Sequence, residues 1–473
     1  MDFSEYSNYD GLGLGELIAK REVSAQEVAD CAHQAIQTKN PSLNAVLTEL
    51  DGQPYSQGQP FSGVPFLIKE LVLQAEGALS RGGSRATQEI PSPADSELMH
   101  RFRQAGLHLI GTTQTPEMGY NATTETVAFG PVHNPWKAGH SAGGSSGGSG
   151  ASVAAGIVPV AHANDGGGSV RVPASCNGLV GLKPTRDRTP TGPAMADPLF
   201  SHAIEFALTR SVRDCAALLD CVAGPDVGAP HIIAPPSESF ATSAAAPARQ
   251  VKIAFVEGSL LGQPIHDECT KAAEKTRDLL QDLGHTIVPC PINLDFEEFA
   301  THINVIWCVF AAQFVAEVSS NMDCPADNDH FEGVTLTCAE FGANVSGLQI
   351  LDAMGYVNRI TRETAAAFSD FDVILSSTLS APPPVHGTLN QNDGTLSAME
   401  WTRQTFQYCT NTPLFNSTGQ PAISLPMHWT PDNLPVGIQL AADMGAEGLL
   451  LNIASQLESA SAWADKQATV RHP

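Results

Sequence analysis

The chain has 473 residues, of which 42% are hydrophobic, so it is long and apolar enough to fold around a sizeable core. Its 50 acidic and 25 basic residues give a formal net charge of −25 at pH 7. A field of that sign repels phosphate backbones and anionic lipid surfaces, so neither nucleic acid nor a membrane is an expected partner. The acidity itself favours high solubility.

The predicted elements of the first half alternate between helix and strand. A capping box formed by Ser24 and Glu27 begins a helix, and residues 63–71 (GVPFLIKEL) have the composition of a strand. The elements that follow are a helix at 94–105, a strand at 107–111, a helix at 151–156 and a strand at 157–161. Pro159 indicates that the last of these is an edge strand or a strand start. This alternation predicts an α/β architecture with a mixed sheet.

The second half continues the pattern after a segment rich in Pro, Ala and Ser at 224–250. We interpret that segment as a surface excursion within one domain rather than as an interdomain linker. The predicted elements beyond it are a strand at 251–256, a helix at 267–283, a strand at 285–288, a long helix through Trp307 and Phe314, and buried strands at 371–375 and 422–426.

The sequence gives no sign of secretion, membrane insertion or metal binding. No basic segment followed by an apolar run opens the chain, and no run approaches the roughly 20 uninterrupted apolar residues of a membrane helix. The ten cysteines occur singly without a CxxC, and the histidines show no ligand spacing such as HExxH. We therefore expect free thiols, a cytoplasmic location and no metal site, with a homodimer as the default assembly.

The glycine- and serine-rich stretch after Ser141 contains two candidate nucleophiles. Residues 143–147 (GGSSG) match the GxSxG pattern of a Ser-Asp-His hydrolase, but that short pattern also occurs by chance. It requires a late histidine, and the two late candidates, His428 and His472, lie in no informative context. A phosphate-binding loop is excluded, because no Gly-Lys-Ser/Thr follows the glycines. A flexible linker is disfavoured, because the stretch continues directly into apolar sequence.

A second serine follows three glycines in residues 165–169 (DGGGS). Glycines allow a backbone to turn its N–H groups inward, and such donors stabilise a tetrahedral oxyanion by roughly 3–4 kcal/mol each. We therefore interpret Ser169 as the nucleophile. The predicted oxyanion hole consists of the N–H groups of Gly166, Gly167, Gly168 and Ser169.

Lys69, at the end of the apolar run 64–68, is the candidate base for that serine. A lysine has a pKa of about 10.4 in water, so a base that works near neutrality needs a pKa lowered by roughly three units. Burial in an apolar run lowers a lysine pKa in this way. The competing interpretation, an edge-strand lysine that extends to solvent, would be preferred if Lys69 were considered without the serine-rich segment.

These motifs resemble the amidase signature family. The resemblance includes GVPFLIKE around Lys69, GGSSGGSGASVAAG around Ser145, DGGGSVRVPAS around Ser169, GLVGLKPT at 178–185, TRSVRD at 209–214, and NSTGQPAISLP with LPVGIQ within 416–439. They occur in family order over nearly the whole chain, and only about 224–370 lacks them.

The resemblance implies a fold and a domain organisation. The expected fold is α/β, with a large, mixed, mostly parallel twisted sheet covered by helices on both faces. The expected organisation is one domain over 1–473. It has a catalytic core at about 60–220, a variable substrate-shaping region at about 224–400 and further core elements at 401–473.

The resemblance also implies a mechanism that needs no cofactor. The lysine matching Lys69 takes a proton from a bridging serine, matching Ser145, which activates the nucleophile matching Ser169. The bridging serine follows a cis peptide bond, here Gly144–Ser145. Asp165 and Arg171 are expected to brace the nucleophile loop rather than contact substrate. The candidate substrate-binding residues are Tyr120, Asn121, Gly144 and Cys308. The competing interpretation of Cys308 is a buried structural thiol, the commoner fate of a cysteine in a helix of this kind.

The resemblance further narrows the substrate to a small molecule with an amide or carbamate bond. The serine-leucine-aspartate-glutamine block of glutamine amidotransferase A subunits is missing at 195–203, which argues against that alternative. The motifs PVAHAND and TPEMG resemble the branch that includes 6-aminohexanoate cyclic-dimer hydrolase. We therefore expect a hydrolase of aryl acylamides, oligoamides and carbamates. A non-catalytic binding homologue stays a further alternative, although all three catalytic positions are filled.

Overall fold

The structure is a computed structural model that describes residues 1–87, 89–461, 463, 466 and 468. Its strands are β1 Val46–Glu49, β2 Val64–Lys69, β3 Leu107–Thr113, β4 Glu125–Thr126, β5 Gly130–Pro131, β6 Val160–Asp165, β7 Val180–Lys183, β8 Ile204–Thr209, β9 Lys252–Phe255, β10 Thr286–Pro289, β11 Val373–Ser377, β12 Ala422–Trp429 and β13 Pro435–Ala442.

The helices surround these strands in the same chain order. They are α1 Phe3–Tyr6, α2 Gly11–Ala19, α3 Ala25–Leu43, α4 Glu97–Gln104, α5 Gly147–Ala154, α6 Arg171–Asn177, α7 Val212–Val222, α8 Phe240–Ala245, α9 Asp267–Asp282, α10 Phe296–Met322, α11 Gly333–Ala343, α12 Gly347–Ala367, α13 Ala398–Tyr408, α14 Pro413–Thr418 and α15 Glu447–Ser461. A short 3₁₀ turn lies at Glu117–Gly119.

Eleven strands of the described chain form one sheet in the order β1-β3-β2-β6-β8-β7-β12-β13-β11-β9-β10, and β4 pairs with β5 alone. Strands β3, β2 and β6 pair in parallel, as do β11, β9 and β10. The central strands from β6 to β11 pair antiparallel with one another. The α/β fold and the mixed sheet are confirmed. Parallel pairing occurs in two groups of strands on either side of the sheet centre, β3-β2-β6 and β11-β9-β10.

Helices cover the sheet on both faces. Every residue of β2, β6, β8 and β13 is buried, and a strand without an exposed face must be covered on both sides. The capping box at Ser24 and Glu27 is confirmed as the start of α3. The strand predicted at 157–161 begins three residues later, after Pro159, and it is a central strand rather than an edge strand because it pairs with both β2 and β8. Because Pro159 lies just before the strand, its missing N–H removes no hydrogen bond from the sheet there.

The longest helix, α10, crosses the segment that the sequence left without motifs. By length and composition it could span a membrane, but more than half of its most apolar stretch is buried inside the protein. It packs against α11, α12 and α13. Its apolar composition is therefore explained by this packing, and one side of it faces the candidate site.

Candidate active site

Lys69 is the last residue of β2, and its whole side chain is buried. Its Nζ lies 2.6 Å from Ser145 Oγ and 2.5 Å from Asn164 Oδ1. Burial lowers the pKa of Lys69 to about 7, although the carboxylates of Glu205 and Asp165 oppose the shift. At neutral pH a large fraction of Lys69 is therefore the free amine, which can accept a proton from a hydroxyl.

Neighbouring polar groups fix the position of this lysine. The backbone N–H of Lys69 donates to Nδ1 of His162 at 3.3 Å, and Nε2 of the same ring contacts Glu205 Oε2 at 2.7 Å. The amide of Asn164 donates to the carbonyl oxygen of Leu71, so its Oδ1 is held toward Lys69 Nζ. His162 thus supports the β2 backbone and does not contact either serine.

Ser145 lies in the loop that precedes α5, and the peptide bond Gly144–Ser145 is cis, as predicted. A Cβ at Gly144 would meet the carbonyl oxygen of Thr123 at 2.4 Å, so only glycine fits there. The Thr124 hydroxyl donates to the Gly143 carbonyl and accepts from the Gly147 N–H, which ties both ends of the loop to one side chain. This packing explains why the segment is rich in glycine.

Ser169 follows the glycine loop that leaves the end of β6. It is 9% exposed, which makes it the most accessible of the three predicted catalytic residues. Gly168 has φ +136°, and a Cβ there would lie 2.4 Å from Thr412 Oγ1. The loop therefore requires glycine at 168 for conformation and for space.

The glycine loop offers fewer oxyanion donors than the sequence predicts. The Gly168 N–H donates to Asp165 Oδ1 at 2.6 Å, so this amide is already used to shape the loop. Within the described residues, the N–H groups of Gly166, Gly167 and Ser169 bind no acceptor. The prediction is corrected for Gly168, and the other three amides are available.

Asp165 and Arg171 form a fully buried ion pair with Arg171 Nε 2.9 Å from Asp165 Oδ2. Burial alone would raise the pKa of Asp165, but Arg171 and the Asn416 amide lower it to about 2. Arg171 also donates to the Thr412 carbonyl and to Gln439 Oε1. Both side chains contact the loop, and in the described structure neither lines the two cavities next to Ser169, which is the arrangement expected of supporting residues.

Two spaces meet at Ser169. The broad cavity, about 160 Å³, is lined by Ser145, Ser169 and an apolar wall that includes Leu199, Trp307 and Phe314. The narrow cleft, about 20 Å³, is lined by Ser169, Gly167 and the predicted pocket residues Tyr120, Asn121 and Gly144. Trp307 lines both spaces and stacks on Tyr120 with ring centroids 4.4 Å apart. The two serine hydroxyls share the broad cavity, although they form no hydrogen bond with each other in the described structure.

Cys308, predicted to contact substrate, lines neither space at Ser169 in the described structure. Cys308 is fully buried, and its thiol donates to Asn304 Oδ1 at 3.3 Å, inside the packing of α10. The preceding residue, Trp307, faces both spaces instead. A large aromatic side chain at position 307 is the one feature of the sequence that indicates a pocket residue there, but the sequence alone does not tell which side of α10 faces the site.

The histidine-based alternative finds no support in the geometry. His428 lies on β12, where its Nε2 contacts Glu268 Oε2 at 2.8 Å, and it lines neither space at Ser169. His472 lies outside the described residues. In the part of the chain that the structure describes, no group of three or more His, Cys, Asp or Glu side chains is placed to hold a metal ion.

The comparison with known proteins identifies the family. The Amidase family profile matches residues 16–451 of this chain. The chain belongs to the amidase family. This amidase is 34% identical to a 6-aminohexanoate-cyclic-dimer hydrolase of Paenarthrobacter ureafaciens, over 98% of the chain and 97% of the relative. Family membership makes the protein a hydrolase that cleaves C–N bonds of amides.

Solved structures agree with this assignment. The structure of 6-aminohexanoate cyclic dimer hydrolase superposes on this amidase with a TM-score of 0.88 and 31% identity, over 98% of this chain and 99% of the other. A bacterial aryl acylamidase of the amidase signature family shares the fold, with a TM-score of 0.85 and 24% identity, again over 98% and 99% of the two chains. The predicted amidase signature fold is thus confirmed.

Proposed function

We propose that this amidase works through a Ser-Ser-Lys relay in which Ser169 is the nucleophile. The observation that carries the proposal is the 2.6 Å contact between Lys69 Nζ and Ser145 Oγ in a site where the lysine is fully buried. A buried amine with a pKa of about 7 is a base matched to neutral pH. Ser145 is the only hydroxyl that this amine contacts in the described structure, so it serves as the bridge.

The proposed cycle conserves protons at each step. Ser169 Oγ attacks the amide carbonyl while its proton moves to Ser145, whose own proton moves to the neutral Lys69. The oxyanion is stabilised by the free N–H groups of Gly166, Gly167 and Ser169. The proton then returns through Ser145 to the departing amine and leaves an acyl-enzyme, which water hydrolyses by the same relay. The Ser169–Ser145 hydrogen bond must form on substrate binding, and catalytic hydrogen bonds commonly tighten at that point.

The two spaces support a preference for bulky, mainly apolar amides such as aryl acylamides and oligoamides. The broad cavity takes the larger substituent, because its wall carries Leu199, Trp307, Phe310 and Phe314. The last three side chains come from α10, so the proposed variable region at about 224–400 shapes this pocket. The Paenarthrobacter ureafaciens relative at 34% identity is named as a cyclic-dimer hydrolase, which is consistent with a roomy site.

Carbamates are a further proposed substrate class. Thr405 lines the narrow cleft, and its buried hydroxyl has no hydrogen-bond partner among the described residues. The additional oxygen of a carbamate could accept from that hydroxyl, whereas a simple anilide lacks such an acceptor. Thr405→Val should therefore lower the ratio of carbamate to anilide turnover, measured as kcat/KM for an aryl carbamate and the matched 4-nitroanilide.

The mechanism is tested with the same two substrates on wild type, Ser169→Ala and Lys69→Ala. Both variants should lose at least about 100-fold in kcat/KM, since each removes an essential group. Mass spectrometry after treatment with a fluorophosphonate should find the adduct on the peptide that contains Ser169. Full activity of Lys69→Ala, or an adduct on Ser145 alone, would contradict the relay.

A further inference from the structure

One side of α10 forms the wall of the broad cavity from its interior to its opening. Trp307, Phe310, Phe314 and Glu317 all line it, at helical spacings of three, four and three residues. Their burial falls in that order: Trp307 is buried, both phenylalanines are partly buried and Glu317 is exposed. The cavity therefore begins beside Ser169 and opens to solvent at Glu317.

The ionisable side chains that line this cavity in the described structure are all acidic. Among the described residues that line it, the ionisable carboxylates are Glu205 and Glu317, and no Lys or Arg side chain takes part. Glu205 is buried and held by His162, so it is not free to bind a ligand. Glu317 accepts from Gln313 Nε2 at 2.7 Å at the opening of the cavity.

The spacing along α10 gives the length of the cavity. Trp307 and Glu317 are ten residues apart on one helix, which corresponds to about 15 Å at a rise of 1.5 Å per residue. Between them lie two aromatic rings, which favour an alkyl chain and also attract an ammonium group through cation–π contact. The net charge of −25 adds an attractive long-range field for a cation.

We propose that Glu317 selects amide substrates whose far end carries a positive charge, such as a primary alkylammonium, and disfavours those that end in a carboxylate. This inference rests on the proposed function, because it takes the scissile bond to lie at Ser169. The substrate class is then a long apolar amide with a cationic terminus, with the apolar part against α10 and the charge at the opening.

The test compares matched substrates that differ only in terminal charge. One series consists of 4-nitroanilides of an alkanoic acid, its terminal amino derivative and its terminal carboxyl derivative. A second series places the same three ends on the amine side, as benzamides of alkylamines, and follows amine release. Chains of six, eight and ten carbons are used in both series, since the bound side of the substrate is the unknown.

Wild type should favour the cationic over the neutral member by up to about fivefold in kcat/KM in at least one series, the effect of one exposed ion pair. The preference should decrease at high ionic strength because exposed charges are screened. Glu317→Gln should abolish it, and Glu317→Lys should reverse it toward the carboxylate. Glu274→Gln, which removes an exposed carboxylate from α9, is the control and should leave the preference intact.

The failure of this inference is distinguishable from failure of the mechanism. If neutral members are hydrolysed by wild type and not by Ser169→Ala, but neither series shows a cation preference, the role of Glu317 is refuted and the relay stands. If the preference for the cationic substrate persists in Glu317→Gln, the role of Glu317 is refuted as well. If Ser169→Ala hydrolyses the neutral members, the proposed function is refuted and this inference falls with it.

Discussion

Replacing Lys69 with methionine should change how stability depends on pH. The folded protein holds this lysine at a pKa of about 7, lowered by burial, whereas the unfolded chain has the ordinary value of 10.5. Between those values the unfolded state binds about one proton more, so the free energy of unfolding of wild type rises with pH. Relative to Lys69→Met, the gain is about 2.5 kcal/mol between pH 7.5 and 9.5, from about 1.4 kcal/mol per unit.

The difference in the free energy of unfolding between wild type and Lys69→Met is more informative when it is measured at several pH values than at one. Lys69→Met leaves Ser145 Oγ and Asn164 Oδ1 without their buried donor, which costs about 1–3 kcal/mol for each group at any pH. Denaturant unfolding of both proteins at pH 7.5, 8.5 and 9.5 separates this constant cost from the proton-linked part. Parallel curves would refute a lysine pKa near 7.

Activity provides the second measurement on the same variant. Because only the neutral amine can act as base, kcat/KM of wild type should rise about tenfold per pH unit below pH 7 and level off above it. Lys69→Met should lose about 10²- to 10⁴-fold and show no inflection. Lys183→Met is the matched control, since burial also lowers the pKa of Lys183 but its Nζ donates to the Pro184 carbonyl. An inflection near pH 7 that persists in Lys69→Met, or disappears in Lys183→Met, would refute the assignment.

Three further outcomes are expected. Gly168→Ala should lower the free energy of unfolding by about 1–3 kcal/mol and abolish most of the activity, because its Cβ would lie 2.4 Å from Thr412 Oγ1. Gly58→Ala is the control: Gly58 also has a positive φ but lies in open space, so this change should destabilise the protein less and leave turnover intact. Arg171→Met should lower the free energy of unfolding by about 3–5 kcal/mol in denaturant melts, because it leaves a buried carboxylate unpaired. Cys308→Ala should lower Tm while kcat/KM changes less than about threefold. A larger loss of kcat/KM would show that the Cys308 thiol does contact substrate.

The proposed catalytic residues could be chosen from the sequence because each lies in a local motif whose chemistry can be recognised. Lys69 ends a strand of apolar residues, and Ser145 and Ser169 follow glycines that a structural role alone does not explain. The donors of the oxyanion hole could be predicted only in part. Whether the Gly168 N–H turns toward substrate or toward Asp165 depends on a loop conformation that the Arg171 pair fixes.

The pocket wall was less predictable, because α10 is apolar around much of its circumference. Cys308 and Trp307 are adjacent in sequence, yet one is enclosed by helices and the other faces Ser169. Their orientation is set by the packing of α10 against α11 and α13, which the sequence of α10 does not specify. The parallel or antiparallel direction of the central strands also depends on long connections that local patterns do not specify.

The buried arginine beside the nucleophile loop has a consequence for protein synthesis. Arg171 donates to Thr412, Asn416 and Gln439, partners that lie 241, 245 and 268 residues later in the chain. A nascent chain that ends before Thr412 would hold the Asp165–Arg171 pair without any of these acceptors, and one that ends before β13 would still lack Gln439. Contacts this distant slow folding, and the loop cannot be fixed until nearly the entire polypeptide has emerged. The enzyme is therefore expected to become active only after translation is almost complete, and C-terminal truncations should yield inactive, aggregation-prone chains rather than partly active ones.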